Sequence, residues 1–287
     1  MISLFTIQGR KNYIMNKGFT ESMKQGNEDS FYVDDELAFV IDGASGLYKE
    51  KVSDAASDAA WYSHKLKELI LKYRSEERLV DVIQKALHET NKAFTQFENF
   101  KNGVSDFPSA AIAVIRKKEG QLEYYILADC ECIIQYNNDK IEEISDHRVE
   151  NFDNQAIATA IQIMNEQKIH FVEAKKQINT ILQANRKFKN REDGYYVLSN
   201  NEDILQNGIS GSIPLNEINS VLLMSDGFYQ LFDLFGIVSL KQFFREVELS
   251  ELRGYYDLLK QAQLEDENMD RYPRLSLSDD ATIVHFK

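Results

Sequence analysis

The period of the apolar positions changes along the chain, and each change marks an element. Ser30 to Val33 and Leu37 to Ile41 are short runs of strand formers. They are separated by Asp34, Asp35 and Glu36, which suit a tight turn. From Lys49 to Arg74 the pattern turns helical, with Val52, Ala55, Ala56, Ala59, Ala60, Leu66, Leu69 and Ile70 recurring mostly at three- and four-residue steps. A second helix is expected from Glu77 to Phe97. Two consecutive helices of this length should form an antiparallel pair packed on a sheet.

The period then returns to that of strands. Ala110 to Arg116, Leu122 to Ala128, Cys132 to Tyr136 and Lys140 to Ile144 read as a meander, with turns at Lys117–Gly120 and Asn137–Asp139 and an interruption at Asp129. Asn154 to Ile169 and Phe171 to Phe188 are helical, and the second ends in a basic tract of Arg186, Lys187, Lys189 and Arg191 that suits a solvated helix end. Short strands are expected at Leu4–Gln8, Gly194–Ser199 and Ile209–Ile213. Ser220 to Ser225 is an apolar strand ending at Asp226-Gly227. Helices follow over Phe228–Phe232, Leu240–Val247 and Leu252–Leu264, and Asp279-Asp280 leads into a last strand, Ala281 to Phe286. After Leu4–Gln8 a polar stretch containing Lys11, Lys17 and Lys24 runs to Gly26.

Composition narrows the class. The chain has 287 residues, 43% hydrophobic and 28% charged, enough for a packed core. With only three prolines and 13 glycines no linker stands out, so one domain over 1–287 is expected. A net charge of -13 repels a nucleic-acid backbone. No apolar run reaches the roughly 18 residues of a membrane span, and the N-terminus lacks the apolar core of a signal peptide. The expected location is the cytoplasm, and the Lys-, Asn- and Ile-rich composition hints at a bacterial source. The only cysteines, Cys130 and Cys132, are next-but-one neighbours, poorly placed to bond to each other in a strand and better read as buried free thiols. Two cysteines without a clustered histidine argue against a zinc site.

Candidate chemistry gathers at strand ends. A turn centred on Asp35 and Glu36 sets Asp29 opposite Asp42, with Cβ atoms about 5 Å apart. Two such carboxylates repel unless a cation lies between them or one takes a proton. Glu28 adds a third acid, and hard dications such as Mg²⁺ and Mn²⁺ favour oxygen ligands. Taken alone, acids beside an Asp-Gly turn are ordinarily solvated. Asp226 ends one strand, Asp279 precedes another, and Asp129 lies between two more, so four acidic points share one context.

Four segments in this order resemble the metal-dependent serine/threonine protein phosphatases of the type 2C family. They are Asn27-Glu28-Asp29-Ser30, Val40-Ile41-Asp42-Gly43-Ala44-Ser45-Gly46, Leu223-Met224-Ser225-Asp226-Gly227-Phe228 and Ser278-Asp279-Asp280-Ala281-Thr282-Ile283-Val284. Ile144-Ser145-Asp146-His147 matches a family hairpin ending in Asp-His. The resemblance implies an α+β fold, a four-layer α-β-β-α sandwich of two antiparallel sheets flanked by helix pairs. It implies two Mg or Mn ions per chain. Asp42 would bridge them with help from the Gly43 carbonyl, Asp226 and Asp279 would complete one, and Glu28 and Asp29 would hold the other through waters. Asp42, Asp226 and Asp279 are thus the catalytic candidates. Asp129 is similar to a third-metal ligand of bacterial members. The implied reaction is hydrolysis of phosphoserine or phosphothreonine in a phosphorylated protein by a water bridging the two ions, opposite a cognate serine/threonine kinase.

The chain departs from the family pattern at several points. Lys24 stands where the family often has a phosphate-binding Arg, and a lysine binds phosphate as a point charge. Ala44 replaces a histidine proposed as general acid in some members. Ala128-Asp129-Cys130-Glu131 replaces Gly-Asp-Ser-Arg, and Asp280 replaces a common Asn. The segment 149–193 lies where the family carries a variable flap, here long and helical, and is expected to shape substrate choice. Two other readings use the same residues: a weakly active relative that binds a phosphoprotein partner, and a hydrolase of another phosphoester.

Overall fold

The computed structural model describes residues 16–45, 51–101, 107–247 and 251–287. Ten strands form two five-stranded sheets. The first runs in the order β1 (Lys17–Glu21), β10 (Ala281–Phe286), β9 (Ile218–Met224), β6 (Glu131–Tyr136), β7 (Ile141–Ile144). The second runs β2 (Ser30–Val33), β3 (Leu37–Ala44), β4 (Ser109–Lys118), β5 (Gln121–Leu127), β8 (Ile209–Pro214). Every pairing is antiparallel.

The alternation of strand side chains builds the layers. Ala38 and Val40 of β3 face a core shared with Leu223 of β9 and Val284 of β10, so that core lies between the sheets. Leu37, Phe39 and Ile41 point the other way, against Leu66, Ile70 and Ile83 of helices α1 (Asp58–Tyr73) and α2 (Leu79–Phe94). On the far sheet, Leu222 and Met224 face Phe243 of helix Leu240–Glu246 and Leu259 of helix Leu252–Glu265. The result is the expected α-β-β-α sandwich. Cys130 and Cys132 lie buried in the inter-sheet core as free thiols. Among the described residues no helix is long and apolar enough to cross a membrane.

Several boundaries differ from the sequence expectation. The expected strand Leu4–Gln8 lies outside the described residues. β1 forms within the stretch read as polar, paired to β10 with Thr20 opposite Thr282. α1 starts at Asp58, because the Ser57 hydroxyl caps it by accepting from the Ala60 amide at 3.1 Å. The turn before it is held by the Asp58 carboxylate, which accepts from the Ser53 amide at 2.8 Å. After a one-turn helix, α3 (Glu98–Lys101), the flap begins with a long helix, α4 (Arg148–Gln167), but Phe171–Phe188 breaks into Phe171–Gln177, Asn179–Asn185 and a 3-10 turn, Arg186–Phe188. Gly194–Ser199 is not a strand and contributes only isolated bridges, Ala110 to Leu198 and Lys189 to Tyr195.

Candidate active site

The hairpin β2–β3 has the expected register. Ser30 pairs with Ile41, so the next pair outward is Asp29 with Asp42. The register is held at the turn, where Asp34 Oδ1 accepts from the Glu36 and Leu37 amides at 2.9 and 2.8 Å. At the open end, Gly43 packs its Cα under the Glu28 carbonyl. A Cβ there would stand 2.5 Å from that oxygen.

The far sheet delivers the other acids to the same end. β9 ends at Met224, and Asp226 opens a short helix, Asp226–Tyr229. Asp279 and Asp280 immediately precede β10, the neighbour of β9. The two strand ends are locked together: the Ser225 amide donates to the Thr282 carbonyl at 3.0 Å, and the Thr282 amide donates to Ser225 Oγ at 3.0 Å. Gly227 admits this closeness, since a Cβ would meet the Asp280 carbonyl oxygen at 2.0 Å. Asp280 Oδ2 accepts from the Glu28 amide at 2.7 Å and so ties the second sheet's acids to the first's.

Buried hydroxyls orient the carboxylates. Asp29 is 2% exposed, and its Oδ2 accepts from Thr282 Oγ1 at 2.7 Å. Thr282 Oγ1 in turn lies 2.7 Å from Thr20 Oγ1, which accepts from Asn27 Nδ2 at 2.7 Å. With Thr282 donating to Asp29, the hydroxyl protons all run toward that carboxylate. Glu28 Oε1 accepts from Ser45 Oγ at 2.6 Å and Ser57 Oγ at 2.5 Å. Lys24 Nζ sits 2.5 Å from Asp279 Oδ1, half-exposed at the rim. Arg186 of the flap donates to the Ser45 carbonyl at 2.8 Å, so the basic tract is not wholly solvated.

The acids disturb one another. Burial pushes Asp42 well above the usual carboxylate range, and the charges of Asp29, Asp226, Asp129 and Asp279 push it further. Asp226 is pushed up by burial and then by Asp279 and Asp129, against a hydrogen bond with Asp42 that works the other way. Burial raises Asp29 to about 7, opposed by the hydroxyls of Thr282 and Ser225. Asp129 also stands at about 7, from burial first and then from Asp153, Glu150 and Asp146. Lys24 is held above its usual value: burial works against its charge, but Asp279 and then Asp280 and Glu28 prevail.

The structure therefore brings Lys24, Glu28, Asp29, Asp42, Gly43, Asp129, Asp226 and Asp279 to one end of the sandwich. Sequence reasoning did not assign Thr20, Asn27, Ser45, Ser57, Ser225 and Thr282, which position the acids. Asn27, Ser45, Ser225 and Thr282 lie within the family-like motifs; Thr20 and Ser57 lie outside them. At Ala128, φ is 64°, a left-handed conformation that suits the glycine of the family's Gly-Asp-Ser pattern.

Two features suit cations. Asp29 Oδ1 and Asp280 Oδ1 are buried without a hydrogen-bond partner, and the donor set is carboxylate oxygen throughout, the chemistry of Mg²⁺ and Mn²⁺. Among the described residues, the set that brings three ligand atoms within 4.8 Å of one another is Glu131, His147 and Glu150.

The sandwich of two antiparallel sheets thus carries acids from both sheets at one end. The sequence profile of the family Protein phosphatase 2C matches residues 21–266, and the chain belongs to that family. The fold is similar to PppA, a regulatory component of the type VI secretion system in Pseudomonas aeruginosa, with TM-score 0.54, 14% identity, and coverage of 94% of this chain and 95% of that one. It is also similar to the serine/threonine phosphatase PstP/Ppp of Mycobacterium tuberculosis (TM-score 0.52, 14% identity, 94% and 97% covered). A third is Stp1 of Staphylococcus aureus (0.52, 15%, 97% and 98%). The PstP catalytic domain has also been solved in complex with two manganese ions. No curated protein sequence matches the chain significantly.

Proposed function

We propose that the chain is a metal-dependent phosphoprotein phosphatase that hydrolyses phosphoserine and phosphothreonine. The observation that carries this reading is the meeting of Asp29, Asp42, Asp226 and Asp279, from both sheets, at one end of a family scaffold. Asp42, with the Gly43 carbonyl, would lie between two cations. Asp226 and Asp279 would hold one of them, and Glu28 and Asp29 the other. Two Mg²⁺ or Mn²⁺ ions bound there supply an acidified water for attack on phosphorus and positive charge for the phosphoryl oxygens.

The chain's own groups prepare the site. Burial and mutual repulsion favour the protonated forms of Asp42 and Asp226, and a bound cation would offset that repulsion and favour their ionised forms. Thr282 and Ser57 fix the orientation of Asp29 and Glu28. Lys24, on a flexible stem at the rim, can turn from Asp279 to a phosphate oxygen. Arg186 anchors the flap beside the site through Ser45, so the flap is placed to select the substrate. The partners implied are a phosphorylated protein and the kinase that modifies it, in the cytoplasm.

The test is hydrolysis of p-nitrophenyl phosphate and of a phosphothreonine peptide, with Mn²⁺ or with chelator, for wild type and Asp226→Asn. Turnover should require Mn²⁺ and be lost in the variant. Turnover that survives either chelator or the substitution would refute the assignment.

A further inference from the structure

Glu131 is the first residue of β6, paired to Met224 on β9, and is only 2% exposed. Its Oε1 accepts from Ser145 Oγ at 2.7 Å, while its Oε2 is buried with no hydrogen-bond partner. Buried carboxylate oxygens are rarely left so, because the lost hydration is not returned. His147 immediately precedes α4, and Glu150 lies in that helix's first turn. His147 Nδ1 is 2.8 Å from Glu150 Oε1, and each of the three residues offers a ligand atom within 4.8 Å of the other two.

Burial opposes the charged form of Glu131, as do Glu150 and Glu143, while the Ser145 hydroxyl and His147 favour it. Arg148 is spent elsewhere: its Nε and Nη2 donate to Asp146 at 2.7 and 2.5 Å, and Nη2 also donates to the Asn207 carbonyl at 2.8 Å. A cation would satisfy Glu131 Oε2 and replace the His147–Glu150 hydrogen bond with two coordinate bonds. The positive end of α4 opposes a cation, but weakly beside two carboxylates.

We propose that Glu131, His147 and Glu150 bind one transition-metal dication, of the Zn²⁺ and Mn²⁺ class, that fastens the start of the flap helix to β6. The site shares no ligand with the acid centre between the sheets. One imidazole and two carboxylates suit borderline dications better than Mg²⁺, and Zn²⁺ should bind more tightly than Mn²⁺. The cysteines take no part, which is why a search for thiolate ligands does not find it. Glu131 stands where the Gly-Asp-Ser-Arg pattern that this segment resembles has Arg, and an arginine there could not serve as a ligand.

The experiment is a Zn²⁺ titration of the full chain in excess Mg²⁺, followed by calorimetry and by the nitrogen NMR signals of the histidine rings. The wild type should bind one Zn²⁺ with a shift of the His147 ring. His147→Gln, at an exposed position, and Glu150→Gln, at a half-buried one, should each weaken that binding by about 10–100-fold or more, since even outer-shell partners cost that much. They should leave turnover in Mg²⁺ alone unchanged. Equal Zn²⁺ affinity in the double variant, or Zn²⁺ binding that moves no histidine signal, would overturn the proposal. The readout is binding, so a failure of the phosphatase assignment would leave it standing.

Discussion

Asp29→Asn should make the cation-free protein more stable at high pH, although it removes an acid from the proposed site. The substitution keeps the side chain's shape and an oxygen to accept from Thr282, and deletes a buried ionisable group. In the wild type the folded state holds the Asp29 proton up to about 7, while an unfolded chain releases it near the ordinary 3.8. Between those values the folded state binds more protons, so stability falls as pH rises and levels off above about 7. At about 1.36 kcal/mol per unit, the full effect is roughly 4 kcal/mol, of which roughly 2.5 kcal/mol falls between about pH 5 and about pH 8.

Urea unfolding in chelator at those two pH values measures this directly. The wild type should lose stability between them, and Asp29→Asn should lose at least about 2 kcal/mol less, because Asp29 also raises Asp42. In saturating Mn²⁺ the order should invert, since the wild type gains binding free energy that the variant has forfeited. Parallel profiles in chelator would refute the reasoning.

Other perturbations probe the supports of the site. Ser57→Ala removes both the α1 cap and a donor to Glu28; it should cost about 1 kcal/mol in urea unfolding and weaken Mn²⁺ binding in calorimetry. Gly227→Ala forces a Cβ against the Asp280 carbonyl and should destabilise by roughly 1–3 kcal/mol, read from the denaturation midpoint. Lys24→Ala should raise KM for a phosphopeptide, while Lys24→Arg should preserve it. An unchanged KM in Lys24→Ala would remove the lysine from phosphate binding.

Much of this arrangement is legible in residue order, because strand alternation is strict. The Asp29–Asp42 pairing follows from counting back from the Asp35-Glu36 turn, and Gly227 after Asp226 signals close backbone. β1 is hidden for a physical reason. It is an edge strand whose five residues are all half-buried, so no alternation shows, and Phe19 is its one large apolar residue, packed 5.4 Å from Tyr256. The flap misleads in the opposite sense: Ile178 ends one short helix and begins the next, and a continuous apolar period conceals the break. The Glu131–His147–Glu150 cluster needs the β6–β7 hairpin to close before its members meet.

Residue order foretells the repulsion between Asp29 and Asp42 but not the burial that outweighs it, and that burial explains why the hydroxyls matter. Asp29, Asp42, Asp129 and Asp226 are all pushed up by burial before any neighbour acts. A core residue in their place would stabilise the sandwich. What the acids receive instead is a set of short donors from backbone-locked strands: Thr282 to Asp29, and the Glu28 amide to Asp280. Those bonds lower the penalty without neutralising the charge, which leaves the carboxylates ionisable and their remaining oxygens unsatisfied. Removing the Thr282 hydroxyl should therefore act on stability and on cation affinity together, whereas an apolar replacement of an acid would separate the two.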